Sequence, residues 1–564
     1  MVDAIVAVAG NDSGGATTLA GMTAARRRNP LAALLGVLLL VAATLTSCAS
    51  TSTTPPGMFS MFLGEPQHPL IPGNTTETEG SKIVEAVWTP LVTFDVKSRA
   101  VTYDGAAESV ASTDNTHWTI KLKPGWTFHD GTPVTAESYV KAWNYTALST
   151  NAQGASYFFS NVAGYDALQG EDGKEPARTT MWGLRAKDKD TIEVTLSEPF
   201  AIFPVTLGYS AFDPLPEAFY KDPVAFGKKP IGQGPFKSET EWVPGHGMTL
   251  TRYDDYKGES KAKSKGVVMK MYTELSTAYT DVLAGNLDIL KNLPPDAYAS
   301  AKDVFKDRYI EQASPDITSL GFPLYDPRYA DVRVRQALSM AIDRKAIVNA
   351  IFLGTRVAAD SFAPPTVVGY RANACGKWCE YHPDEAKKLL QEANFDMSKP
   401  VEIWFNAGAG HDGWMTAVAN MFRKIGLTYK LRGNLQFNEF LSKRDAKEMT
   451  GPFRLAWIMD YPSIENFLAT QYATAALAPA GSNTTFYSNR EFDAALTLGD
   501  RAHSIEDANK AYQHAEDILV RDLPATPIFY GMDQTVWSKR VSNVHYDIRN
   551  DVILEDVIVD GKAV

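Results

Sequence analysis

The chain has 564 residues, a formal net charge of −11, and 45% hydrophobic and 11% aromatic residues. That length and apolar content support two or three domains with sizeable cores, and a negative balance with no basic stripe argues against a nucleic-acid partner. Past Cys48 no segment approaches the ~20 apolar residues of a membrane-spanning helix.

Arg26, Arg27 and Arg28 precede the apolar run Leu31 to Leu45, and small residues close it. A basic start, an apolar middle and a small-residue end predict a secretory signal over residues 1–47, with translation starting at Met1 or Met22. The closing Leu45-Thr46-Ser47-Cys48 resembles the lipobox of bacterial lipoproteins. That resemblance implies cleavage before Cys48 and acylation of its sulfur with a chain such as palmitate; the alternative is an uncleaved anchor with an incidental Cys. More than one acyl chain on Cys48 gives stable attachment where a single chain is marginal. Residues 48–57 are small, polar and Pro-containing, which suits a flexible tether. The expected location is the outer face of a bacterial cell membrane, held by lipid.

The body alternates strand and helix patterns. "HWTIKLK" sets Trp118, Ile120 and Leu122 on one face, and "DTIEVTL" does the same with Ile192, Val194 and Leu196, as half-buried strands require. Between them "TAESYVKAW" predicts a helix capped by Thr135 with Glu137 in its first turn. Val334, Leu338, Ala341 and Ile342 form a helical stripe behind the cap Asp331, and Pro383 opens a helix with Ala386, Leu389, Leu390 and Ala393 on one face. The pattern predicts a mixed α/β protein with several separate sheets. Cys375 and Cys379 stand four apart in "CGKWCEYHP". In an exported chain this reads as a disulfide; the rival is a metal site with His382, for which a second Cys pair is missing. No HExxH, GxxxxGK[ST] or GxSxG motif is present in the mature region. No catalytic residue, metal or cofactor is expected. His129-Asp130 is a close His–acid pair, and it sits in "FHDGTP", where turn chemistry explains it. Gly232 and Gly234 in "PIGQGPF" look like a phosphate cradle, but no helix with Lys-Ser or Lys-Thr follows.

Five stretches in order resemble the extracellular solute-binding proteins of the oligopeptide and dipeptide type (family 5), which feed ABC importers. They are "GEPQHPLIPGNTTETEG", "WTIKLKPGWTFHDGTPVTAESYVKAW", "KPIGQGPFKSETEWVPGHGMTLTRYDDYKG", "ADVRVRQALSMAIDRKAIVNAIFLG" and "LAWIMDYPSIENFL"; "YSNREFDAAL" extends the match. The resemblance implies a two-lobed clamp like the periplasmic binding proteins, of the type II peptide-binding cluster, with an extra domain in lobe one. Lobe one would take residues 58–316 and 531–564, the extra domain about 88–210, and lobe two 317–530. It also implies that Gly232 and Gly234 form a tight turn and that "IDRKAI" is a helix junction on the surface.

The implied function is capture of an oligopeptide between the lobes and delivery to the permease and ATPase subunits of an ABC importer, by a monomer that is not an enzyme. Alternatives are the same fold holding a dipeptide, glutathione, a nickel complex, haem or an oligosaccharide, or a secreted lipoprotein hydrolase. A binder of varied peptides can rely on the backbone, the ammonium and the carboxylate, with wet pockets for side chains. In the family an Asp of a Trp-x-x-Asp-Tyr stretch holds the ammonium, which here points to Asp460, with Trp457 and Tyr461 as pocket walls or core. The competing reading makes Asp460 a turn residue before Pro462. Ile458 stands where the family often has a bridged Cys. Glu65 matches a position near the cleft, and the segment Glu65 to Gln67 would pair with the peptide backbone. Arg333, Arg335 and Arg371 are visible basic residues outside any such motif.

Overall fold

The computed structural model describes residues 54–170, 174–407, 410–478 and 481–561; the expected signal, Cys48 and the first part of the tether lie outside the described residues. The body opens with strand β1 (Met58–Leu63) and helix α1 (Thr78–Val87). Strands β2 (Ala107–Ala111), β3 (His117–Leu122), β4 (Leu184–Asp188) and β5 (Thr191–Thr195) form a four-stranded antiparallel sheet, with helix α2 (Ala136–Ala147) between β3 and β4. β6 (Phe236–Ser238), β7 (Gly247–Arg252), β8 (Gly266–Met271), β9 (Ile289–Lys291) and β10 (Tyr309–Ala313) return the chain to the sheet of β1. β11 (Asp316–Gly321) then starts a different sheet, continued after α3 (Val332–Met340) and α4 (Arg344–Ile351) by β12 (Val357–Ala358). Helix α5 (Pro383–Glu392), β13 (Val401–Asn406), β14 (Tyr429–Leu435), β15 (Phe453–Ile458), α6 (Ile464–Tyr472) and β16 (Ala525–Tyr530) follow, before β17 (Met532–Trp537) goes back. The seven-stranded sheet has the order β10-β17-β9-β1-β8-β7-β6, and the six-stranded sheet β12-β16-β11-β15-β13-β14.

These elements follow from their residues. β1, "MFSMFL", is buried at all but one position and pairs in parallel with β8 and β9, as an apolar run in the middle of a sheet should. Trp118, Ile120 and Leu122 are buried on β3 and Ile192 and Val194 on β5, the alternation the sequence predicts. Thr135 caps α2 in a capping box closed by Ser138, with Glu137 in the first turn. Asp331 caps α3 by accepting from the Arg333 N–H, and Pro383 opens α5. The stripe of α3 outlasts the helix, which ends at Met340; Ala341 and Ile342 are buried just beyond it.

"IDRKAI" is the junction of α3 and α4, with Lys345 and Ala346 exposed as expected, but its arginine is not at the surface. Arg344 is 3% exposed. Its guanidinium donates to the carbonyls of Pro527 (2.6 Å) and Cys379 (2.9 Å) and to Thr526 Oγ1 (2.6 Å). It ties α4 to β16 and to the turn holding Cys375 and Cys379, which the structure joins by a disulfide. An Arg pays its desolvation only where many acceptors converge, and its acceptors here are backbone carbonyls and hydroxyls that no motif reveals.

The chain passes between the two large sheets twice, at Ser314–Pro315 and at Gly531. The two passages touch. Ser314 N–H donates to the Gly531 carbonyl (3.0 Å), and Gly531 N–H donates to Asp316 Oδ1 (2.8 Å). A Cβ on residue 531 would stand 2.4 Å from Asp316 Oδ2, so glycine leaves room for the carboxylate that accepts from its N–H.

Candidate ligand-binding site

The two passages form the floor of a cavity of about 590 Å³ between the sheets, within the usual range for ligand pockets. α1 contributes its polar face. Ile83, Val84, Ala86 and Val87 are buried in the core, so Thr78, Ser81 and Glu85, three to four residues apart, share the opposite side and line the cavity. The far wall is the end of β15, Ile458 to Asp460, with Arg356. A second cavity of about 340 Å³ adjoins it, and both are bordered by Glu85, Asp460, Arg549 and Asp551.

Asp460 has no ion-pair partner among the described residues. Its Oδ2 accepts from Asn466 Nδ2 (2.9 Å), its own N–H donates to Asn466 Oδ1 (2.9 Å), and the Tyr157 hydroxyl donates to its carboxyl. Asn466 is 1% exposed and is fixed in α6, whose cap is Ser463. Asp460 itself lies in the bend before Pro462. Burial pushes its carboxyl up to about 6, against the neutral donors Asn466 and Tyr157 and the more distant Arg549. A carboxylate placed by neutral donors keeps an unmet demand for a cation.

Trp457 and Tyr461 border neither cavity. Trp457 Nε1 donates to Asn466 Oδ1 (3.1 Å) and the Tyr461 hydroxyl to Glu465 Oε2 (2.6 Å). Both pack against the core, so they position the residues around Asp460. Burial lifts the Glu465 carboxyl to about 8, helped by the nearby Asp500 and Asp460.

β15 also offers backbone. Met459 N–H donates to the Pro315 carbonyl and Trp404 N–H to the Pro452 carbonyl, both 2.9 Å. Alternate residues of a strand direct their hydrogen-bonding groups to opposite edges, so Phe453, Leu455 and Trp457 face β11 and Ala456 and Ile458 face away from it. β13 meets β15 only at Phe453. Among the described residues, the Ala456 and Ile458 backbone groups have no strand beside them, and the Ile458 side chain is 60% exposed.

The bacterial extracellular solute-binding protein family 5 model matches residues 102–478. The chain belongs to this family. Over 454 residues it is 30% identical to the periplasmic oligopeptide-binding protein OppA of Salmonella typhimurium, covering 76% of this chain and 78% of that one. The periplasmic murein peptide-binding protein MppA of Escherichia coli is 26% identical over 464 residues, 79% and 83% of the two chains. Among solved structures, the unliganded open form of MppA superposes with a TM-score of 0.74 at 22% identity, over 89% of this chain and 97% of that one. Haemophilus influenzae OppA in complex with RPPGFSPFR gives 0.71 at 23% identity, over 90% and 99%. The fold is the two-lobed α/β periplasmic-binding-protein fold, and family 5 proteins are extracellular solute-binding proteins. No described helix is long and apolar enough to cross a membrane.

Within this family 5 frame the remaining expected site residues fall as follows. Glu65 borders neither cavity: its Oε1 accepts from Trp242 Nε1 (2.9 Å) and its Oε2 from Gly245 N–H (3.0 Å). Gln67 lines the larger cavity, and its N–H donates to Glu77 Oε1 (3.0 Å). His129 is tied to the glycine turn, its Nδ1 accepting from Gly232 N–H (3.2 Å). A Cβ on residue 232 would stand 2.2 Å from the Val87 carbonyl, so that glycine permits close packing against the end of α1. Arg333 pairs with Asp331 and Arg371 with Glu516 and Asp517, while Arg335 donates to the Tyr329 and Leu523 carbonyls.

Sequence reasoning missed the charges opposite Asp460. Lys82 (3.1 Å) and Lys291 (2.8 Å) pair with Asp551, and Arg549 pairs with Glu85 (2.7 Å). Burial opposes the charge of Asp551, yet Lys82, Lys291 and Arg549 outweigh it and hold the carboxyl well below its usual range. Burial pushes Glu85 the other way, up to about 8, with Arg549 opposing and Asp551 and Asp547 reinforcing. The one trace in the sequence is the alternation Asp547-x-Arg549-x-Asp551.

Proposed function

We propose that the chain captures oligopeptides between its two lobes, without cleaving them, for an ABC importer. The carrying observation is Asp460, a half-buried carboxyl without a countercharge at the edge of the cavity between the sheets, beside the unpaired backbone edge of β15. An α-ammonium would pair with Asp460, and the next residues would add as a strand along Ala456 and Ile458. Gln67, on the opposite wall, would meet the same backbone. The oligopeptide-binding relatives and the peptide complex of the Haemophilus protein support this ligand class. Lobe one is residues 58–316 with 531–564, lobe two is 317–530, and the passages at Ser314–Pro315 and Gly531 form the hinge, a layout in which closure traps the ligand.

The partners are the permease and ATPase subunits of the importer, and the protein acts as a monomer lipid-anchored through Cys48. Native mass spectrometry of protein purified from its own host tests the ligand class. The reading expects retained peptides with free amino termini, recovered intact after incubation; a retained sugar, metal complex or haem would overturn it.

A further inference from the structure

The smaller cavity has its own chemistry. It lies beyond Asp460, between α1, the segment 88–94, Asp213 and the segment 547–556. Two cations line it, Lys82 and Arg549, and both are engaged, with Asp551 (3.1 Å) and Glu85 (2.7 Å). Its acids are more numerous, and four of them, Asp104, Asp213, Asp460 and Glu555, form no ion pair among the described residues. Asp213 is 3% exposed, and its Oδ1 has no hydrogen-bond partner. An orphaned carboxyl oxygen in a dry wall is costly to keep. Val92 and Phe94, on the same cavity, give an apolar flank along which a long aliphatic stem can lie with its charged head beyond.

The position of Asp460 connects this cavity to the ligand. An α-ammonium and the first side chain leave the same carbon. A peptide held at Asp460 therefore sends that side chain into one of the two spaces the residue borders, and the larger space is taken by the backbone following β15. We propose, building on the peptide reading above, that the smaller cavity is a specificity pocket for a cationic first side chain, lysine or arginine, whose head pairs with Asp213. The protein would then prefer peptides with a basic amino-terminal residue.

Titration supports this geometry. Burial pushes the Asp213 carboxyl far up, with Glu85 of α1 reinforcing and Arg549 of the 547–556 segment opposing, and Tyr139 of α2 faces the same carboxyl. Glu85 itself is pushed up to about 8, first by burial, and faces Arg549, Asp551, Asp547 and Lys82. Both carboxyls are thereby biased towards their protonated forms in the free protein. A cation entering beside them favours their ionised forms, so binding a basic first residue releases protons.

The test is calorimetry with Lys-Ala-Ala-Ala and norleucine-Ala-Ala-Ala on the full mature protein, in two buffers of different ionisation enthalpy at pH 7, for the unmodified chain and Asp213→Asn. The proposal expects the lysine peptide to bind at least ~10-fold tighter, the scale of one hydrogen bond to a charged group. The lysine peptide should release more protons than the norleucine peptide, whose ammonium draws only on Asp460, and Asp213→Asn should abolish both differences. The buffer comparison needs no variant, so it decides even if Asp213→Asn does not fold. Equal affinities with equal proton release would overturn the pocket while leaving the Asp460 reading intact. A lysine preference that survives in Asp213→Asn would place the cation elsewhere and overturn it too. Failure of both peptides to bind would sink the pocket and the peptide reading together.

Discussion

Asp460 and Asp551 border the same two cavities, and the protein treats them in opposite ways. Asp551 has its countercharges built in, with Lys82, Lys291 and Arg549 around it and Lys291 only 5% exposed. Asp460 has only neutral donors, Asn466 and Tyr157. The first carboxyl sits below its usual range and the second up at about 6, although burial is the largest influence on each. Depth alone therefore does not mark a ligand group. What marks it is a carboxyl held rigidly by partners that cannot neutralise it. Asp551 is scaffold that holds α1, β9 and the 547–556 segment together; Asp460, on the proposal above, receives a charge from outside.

The largest expected effect tests the scaffold half of this contrast. Asp551→Asn strands Lys82 and Lys291 and should cost ~3–5 kcal/mol of stability, the scale for breaking a buried pair. Asp460→Asn should change stability by less than ~1 kcal/mol, since it strands no cation. Urea unfolding at pH 7 measures both, and equal losses would erase the distinction. A smaller effect follows from Asn466→Leu, which removes the donor to Asp460 Oδ2 and leaves Trp457 Nε1 and the Asp460 N–H without their acceptor. That should cost ~1–3 kcal/mol, and an unchanged unfolding midpoint would mean Asn466 does not fix the site.

The smallest effect is in pH. Below about 6 the free Asp460 carboxyl is protonated, and it must lose that proton to pair with an ammonium. The bound form has the lower pKa, so affinity falls as pH falls, by ~10-fold (~1.4 kcal/mol) from pH 7 to pH 5. An N-acetylated peptide should show a flat profile over the same range, which separates Asp460 from Glu465 and Asp500 behind it. Rising affinity on acidification would assign the titration to another group.

The sequence made the local architecture legible and left the long-range chemistry hidden. Alternation at Trp118, Ile120 and Leu122 and the cap residues Thr135, Asp331 and Pro383 act within a few residues of themselves, so pattern alone finds them. Asp460 was legible through its resemblance to a family motif. The acceptors of Arg344 and the ring of charges around Asp551 are not, because Lys291 meets Asp551 across 260 positions and Arg344 meets Pro527 across 183. Glu65 shows the converse: the motif points to a position near the cleft, whereas the side chain borders neither cavity and is engaged by Trp242 and Gly245.

The central claim is that Asp460 receives the ammonium of the ligand, and a double cycle tests it most directly. Calorimetry would compare Asp460 with Asp460→Asn, each against a free-amine peptide and its N-acetylated form. The substitution should weaken the free-amine peptide by roughly two to three orders of magnitude, ~3–4 kcal/mol. It should weaken the acetylated peptide far less, because both changes remove the same contact. Equal losses for the two peptides would contradict the account and place the ammonium elsewhere.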